Sequence, residues 1–269
     1  MSVEPKALAI PDLREQKAQG RKLTVLTCYD ALFARLLDGA VDLLLVGDSL
    51  NQVVAGRSTT LSATLDQMIY HAQAVRRGAL KTLVFVDLPF LTYQVTVEEA
   101  LRNAGRVMTE TGCHGVKLEG GEPMAETIRA LVRIGIPVMG HVGLTPQSVH
   151  QLGGYRVQGR DPAAAKQLLA DARAVEEAGA CSLVLELVPA ALAAEASGAL
   201  RIPTIGIGAG PGCDGQVLVL HDMLGLNEGF RPRFLKTYAE LAGEVRGAAR
   251  RFAEEVRSGA YPGPEHSFE

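Results

Sequence analysis

Eight short apolar runs punctuate the chain: LTVLTC (23–28), DLLLV (42–46), TLVFV (82–86), GVKLE (115–119), PVMGH (137–141), SLVLE (182–186), TIGIG (204–208) and VLVLH (217–221). They are nearly continuous in apolar residues rather than alternating. That is the pattern of strands buried on both faces of a parallel sheet. Between them the period changes to that of helices with readable ends. Thr64-Leu65-Asp66-Gln67 and Thr96-Val97-Glu98-Glu99 fit the capping box, and Gly78 and Gly112 mark the matching stops. Asp161-Pro162 opens a long helix that closes at Gly179. A last helix is predicted from about Pro232 to Ser258. The stretch between TIGIG and VLVLH is too short for a full helix.

Eight strands alternating with helices over 269 residues predict an α/β fold, a (β/α)8 TIM barrel. The expected organisation is a single barrel domain over 1–269, with a short helical extension at about 1–22. An open doubly wound sheet commonly has fewer strands and carries a glycine-rich fingerprint after its first strand. Here TCYDALFARLL follows the first strand, without one.

Composition narrows the function classes. Net charge is −3 with 21% charged residues, and no basic stripe offers itself to nucleic acid. No apolar run reaches the length of a bilayer span. The opening MSVEPKALAIPDLREQ is broken by charges and prolines and does not read as a secretory signal. Cys28, Cys113, Cys181 and Cys213 lie far apart with no CxxC pair, so a reducing, cytoplasmic compartment is expected.

In a barrel the C-terminal strand ends meet at one mouth, where chemistry sits. In order, those ends carry Tyr29-Asp30, Asp48-Ser49, Asp87, Lys117 and Glu119, His141, Glu186, and His221-Asp222. Turn chemistry explains any one of them and explains the set poorly. Asp48 and Asp87 are equally readable as caps. Lys117 and Glu119 alternate, so they share a strand face, and apolar Val116 and Leu118 favour that face pointing inward. His141 is more often a satisfied core histidine than a catalyst. Glu186 in LVLELVP has no visible capping role, which favours function. Asp30, His221 and Asp222 read as caps and core-edge groups.

Asp48, Asp87 and Glu119 form an all-oxygen set suited to a hard cation such as Mg²⁺, which polarises a carbonyl and stabilises an enolate. A lysine beside it pairs with a carboxylate, and a separate acid such as Glu186 moves a proton. The chemistry indicated is at the carbon next to a carbonyl. Gly206-Ile207-Gly208-Ala209-Gly210 reads equally as a phosphate cradle or a tight turn. Gly153-Gly154-Tyr155 reads as a loop, part of a mobile lid.

The stretches LLVGDSLNQVVAGRSTT, VDLPF, VKLEGG, GHVGLTPQS, GGYRVQGR, VLELVP, GIGAG, DGQVLVLHD and YPGPEHSFE resemble the ketopantoate hydroxymethyltransferase family from about Leu23 to the C-terminus. The resemblance implies a barrel of the phosphoenolpyruvate/isocitrate-lyase-like group, assembled as a homodecamer. It implies Mg²⁺ held through Asp48, Asp87 and Glu119, with the substrate 3-methyl-2-oxobutanoate aided by Ser49, Lys117 and His141. It makes Glu186 the base at C3 and 5,10-methylenetetrahydrofolate the one-carbon donor, and it gives no reason to expect phosphate at GIGAG. The runner-up is a metal-dependent C–C lyase of the same group. Such lyases carry a KKCGH-like loop, and no such stretch occurs here.

Overall fold

The structure, a computed structural model, describes residues 7–268. The chain divides into two compact units, 1–219 and 220–269.

The first unit holds the barrel. Strands β1 (Leu23–Thr27), β2 (Leu43–Val46), β3 (Leu83–Asp87), β4 (Gly115–Lys117), β5 (Val138–Gly143), β6 (Ser182–Glu186), β7 (Thr204–Ile207) and β8 (Gly215–Leu218) close in sequence order, all parallel, with β8 returning to β1. Its helices are α1 (Asp12–Ala18), α2 (Ala31–Leu37), α3 (Leu50–Val53), α4 (Leu65–Gly78), α5 (Val97–Thr111), α6 (Ala125–Arg133), α7 (Pro162–Glu177) and α8 (Ala190–Ala199). The second unit contains α9 (Leu220–Met223) and α10 (Leu241–Ser258).

Most of the expected caps form; Gly78 is the last residue of α4, without a left-handed φ, and Ala79 caps that helix. Thr64 and Gln67 complete the reciprocal box of α4, Thr96 caps α5 through the Glu99 N–H, and Asp161 accepts from Ala163 and Ala164 at the head of α7. Gly112 ends α5 in the left-handed conformation, φ 66°. No helix intervenes between β7 and β8.

The continuous apolar runs split by alternation. Leu23, Val25, Leu43, Leu45, Leu83, Phe85, Met139, Val184, Ile205 and Val217 fill one buried core. Gly115 leaves the room that Phe85 takes: a Cβ there would stand 2.5 Å from its ring. Leu13 of α1 joins the same cluster and is fully buried. The short N-terminal helix therefore plugs the lower, N-terminal end of the barrel. Lys17 Nζ fastens it, donating to the carbonyls of Ser197 and Ile202 and pairing with Asp214 at 2.8 Å.

Two sequence expectations shift. The eighth strand ends at Leu218, so His221 and Asp222 lie on α9. The last helix starts at Leu241 rather than near Pro232. Backbone donors before it are committed elsewhere: Tyr238 N–H bonds Met223 O, and Leu241 N–H bonds Leu224 O.

Candidate active site

Along β3, β4, β5 and β6 the inward positions are apolar or glycine at the bottom and turn polar at the top. Two residues beyond Phe85 stands Asp87; beyond Gly115 come Lys117 and then Glu119; beyond Met139 stands His141; beyond Val184 stands Glu186. Strand register makes them neighbours. Asp87 is the partner of Lys117 across β3 and β4, and Lys117 Nζ donates to Asp87 Oδ1 at 2.6 Å with both residues buried. Burial alone would push the Lys117 ammonium down, and the charges of Asp87, Glu119 and Asp48 outweigh it, holding it up. This lysine stays protonated.

Asp48 and Ser49 follow β2. Neither behaves as a side-chain cap for α3. Asp48 Oδ2 accepts from Gln147 Nε2 at 2.9 Å, its own N–H donates to Asp87 Oδ2 at 3.0 Å, and Ser49 Oγ lies 2.9 Å from Tyr29 OH. Burial foremost, then repulsion from Asp87 and Glu119, raises the Asp48 carboxyl to about 8, against the opposing pull of Lys117 and the Gln147 hydrogen bond.

His141 lies between two acids, with Nδ1 3.5 Å from Glu119 Oε1 and Nε2 3.2 Å from Glu186 Oε2. Neither ring nitrogen has a well-aligned hydrogen bond, although the residue is only 2% exposed. Burial and Lys117 push the imidazole down, and the two carboxylates outweigh them, placing it at about 9. Glu186 is the most open of these acids, with its side chain 16% exposed against 4% for Asp87 and Glu119.

The structure thus gathers Asp48, Ser49, Asp87, Lys117, Glu119, His141 and Glu186 at the C-terminal strand ends of the barrel unit. Asp30 is a helix cap, accepting from Leu32 and Phe33. Gly208 and Gly210 in GIGAG both have positive φ and form a turn with no following helix to present N–H groups to a phosphate. The Gly153-Gly154-Tyr155 loop reaches α3, where Gln52 Nε2 donates to Tyr155 OH at 3.1 Å.

Two residues escaped the sequence reading. Gln147, in the turn after β5, also donates its N–H to Glu119 Oε2 at 2.9 Å, and Tyr93 OH donates to Gln147 Oε1 at 2.7 Å. Both side chains are buried. Pro146 and Gln147 in GLTPQS, and Tyr93 in the loop LPFLTYQVT, carry no local mark of a site; only the fold brings them to it.

The donor set is hard oxygen, which suits Mg²⁺. Asp48, Asp87 and Glu119 are three buried acids beside the single ammonium of Lys117, an imbalance that a divalent cation would relieve. Among the described residues no three His, Cys, Asp or Glu side chains close into a ready-made metal cage. Mg²⁺ commonly takes one or two carboxylates and keeps waters for substrate to replace, so the set fits in donor chemistry.

Known proteins resemble this chain at two depths. Solved barrels match in fold: phosphonopyruvate hydrolase in complex with oxalate and Mg²⁺ has a TM-score of 0.61 at 13% identity, covering 96% of this chain and 93% of that one. The 2,3-dimethylmalate lyase, a PEP mutase/isocitrate lyase superfamily member, has a TM-score of 0.60 at 20% identity, covering 96% and 90%. In sequence, the 3-methyl-2-oxobutanoate hydroxymethyltransferase of Pelobacter propionicus is 55% identical over 269 residues, the full length of both chains. That of Syntrophotalea carbinolica is 54% identical over 264 residues, 98% of this chain and 99% of its own. The model of the ketopantoate hydroxymethyltransferase family matches residues 7–264. The chain belongs to the ketopantoate hydroxymethyltransferase family.

Proposed function

We propose that this chain transfers a hydroxymethyl group to 3-methyl-2-oxobutanoate, giving 2-dehydropantoate, and that Glu186 removes the C3 proton. The carrying observation is the charge arrangement at the barrel mouth. Buried Asp48, Asp87 and Glu119 surround Lys117, and the more open Glu186 stands beyond His141. Asp48, Asp87 and Glu119 would hold Mg²⁺, which supplies Lewis-acid stabilisation to the oxo acid when bound. Lys117, always charged, binds the substrate carboxylate, and Ser49 helps orient it. His141, between Glu119 and Glu186, holds Glu186 in place. Glu186 accepts the C3 proton. The enolate carbon attacks the one-carbon unit of 5,10-methylenetetrahydrofolate, water supplies the hydroxyl oxygen, and tetrahydrofolate leaves.

The reading extends to a cytoplasmic setting and a homodecamer. Among the described residues no helix is long and apolar enough to cross a membrane. Val245, Phe252 and Val256 make an exposed apolar stripe along α10 that would suit a second copy.

The proton step is tested alone. The enzyme should exchange the C3 proton of 3-methyl-2-oxobutanoate with deuterated water, followed by proton NMR, without folate, and a chelator should abolish the exchange. Glu186→Gln should keep oxo-acid binding and lose exchange by about 10²–10⁴-fold, the contribution of a positioned base. Exchange at the parent rate in Glu186→Gln would sink the assignment.

A further inference from the structure

The geometry points to Gln147 as a positioning residue that fixes Asp48 and Glu119 in one arrangement for metal binding. The inference rests on the proposed role of those acids as Mg²⁺ ligands. Gln147 makes five hydrogen bonds while only 5% exposed. Its Nε2 donates to Asp48 Oδ2 at 2.9 Å and to Leu88 O at 3.0 Å. Its Oε1 accepts from Tyr93 OH at 2.7 Å and from Gln94 Nε2 at 3.0 Å. Its backbone N–H donates to Glu119 Oε2 at 2.9 Å. One residue from the β5 side thereby joins the ends of β2, β3 and β4.

The amide can stand only one way round. Turned over, it would set its oxygen against a carboxylate and a carbonyl, and its NH₂ against the NH₂ of Gln94. Tyr93 reinforces that orientation, since its hydroxyl also accepts the Glu119 N–H at 3.0 Å. The same phenol orients the Gln147 amide and anchors the backbone of Glu119.

Neutrality matters as much as shape. The pocket already sets Asp48, Asp87, Glu119 and Glu186 against Lys117 and His141. A cation at position 147 would pair with the acids and compete with a metal. A carboxylate would add repulsion. An amide grips one oxygen of Asp48 without changing the charge. Gln147 acts through the acids and not on substrate.

The test is calorimetric titration of the full chain with Mg²⁺ alone, with neither oxo acid nor folate present. Circular dichroism and melting are followed in parallel. The proteins are the parent, Gln147→Met, Gln147→Glu, Tyr93→Phe and, as a control on the metal reading, Asp48→Asn. Gln147→Met should weaken Mg²⁺ binding about 10–100-fold, the usual effect of losing a residue that orients a metal ligand. Gln147→Glu should be at least as weak, because it keeps the size and replaces a donor by a charge facing Asp48. Tyr93→Phe removes the phenol's neutral bonds to Gln147 Oε1 and to the Glu119 backbone and should cost about 2–10-fold. A merely structural role would lower the melting temperatures and leave Mg²⁺ affinity at the parent value, which overturns the inference. If the Gln147 variants do not fold, Tyr93→Phe decides, and parental affinity there overturns it. Parental binding in Asp48→Asn means the metal reading has failed, and the inference falls with it. Weak binding in Asp48→Asn with parental binding in Gln147→Met sinks the role of Gln147 alone.

Discussion

The two ends of the barrel use the same inward-facing strand positions for opposite purposes. At the lower end Leu23, Leu43 and Leu83 meet Leu13 of α1, which is fully buried. The polar fastening there, Lys17 to Asp214, lies at the rim with side chains 15% and 19% exposed. At the upper end, a few residues further along the strands, Asp87, Lys117, Glu119 and His141 are each no more than 6% exposed. Apolar burial stabilises the lower end at about 25 cal/mol per Å². Burial of acids in excess of their cations opposes folding at the upper end, unless a bound ion offsets it. The lower half thus carries stability, and the upper half gives some of it up for the chemistry proposed there.

The sharpest way to break this comparison is at Asp48. Asp48→Asn should nearly abolish turnover and Mg²⁺ binding. The metal-free protein should melt no lower than the parent, because burial and repulsion from Asp87 and Glu119 disfavour the charged form of Asp48, and Asn carries no charge. Lost stability with retained turnover would invert the roles of the two ends.

A smaller effect is expected at Lys117. Losing its charge-assisted bond should weaken oxo-acid binding by roughly 10–100-fold, from about 1.5–3 kcal/mol. Folate binding should change little. Equal weakening of both ligands, measured by equilibrium titration, would mark a general defect, to which the 2.6 Å bond between Lys117 and Asp87 makes this site vulnerable.

The lower end should respond in the other currency. Leu13→Ala removes a fully buried side chain and should lower stability by about 2–5 kcal/mol in urea unfolding. The folded fraction should keep the parent kcat and KM. A lowered kcat at parental stability would show that the plug reaches the chemistry.

Lys17→Met gives the mildest change. It removes hydrogen bonds to Ser197 and Ile202 and the pair with Asp214, all part-buried, while keeping an unbranched apolar chain. A loss of about 0.5–1.5 kcal/mol is expected, with unchanged activity. A loss as large as that of Leu13→Ala would make the plug electrostatic rather than apolar.

Much of this was legible in the chain. The eight strands stood in the apolar runs, and the strand-end set Asp48, Asp87, Lys117, Glu119, His141 and Glu186 followed from counting to where each run stopped. Alternation placed Lys117 and Glu119 on one face, and the caps of α4, α5 and α7 were written in local residue spacing. These are short-range properties: the period of a strand and the orphan N–H groups of a helix depend on neighbours in sequence. The eighth strand was read too long because VLVLH keeps its apolar character past the end of its hydrogen-bonded ladder. Only barrel closure decided the rest. Asp87 meets Lys117 through the register of β3 with β4, and His141 stands between Glu119 and Glu186 because β5 lies between β4 and β6. Gln147 reaches Asp48 across a separation of 99 residues. A side-chain partner that distant leaves no trace in local pattern, since the energy that fixes it exists only once strands from separate parts of the chain stand side by side.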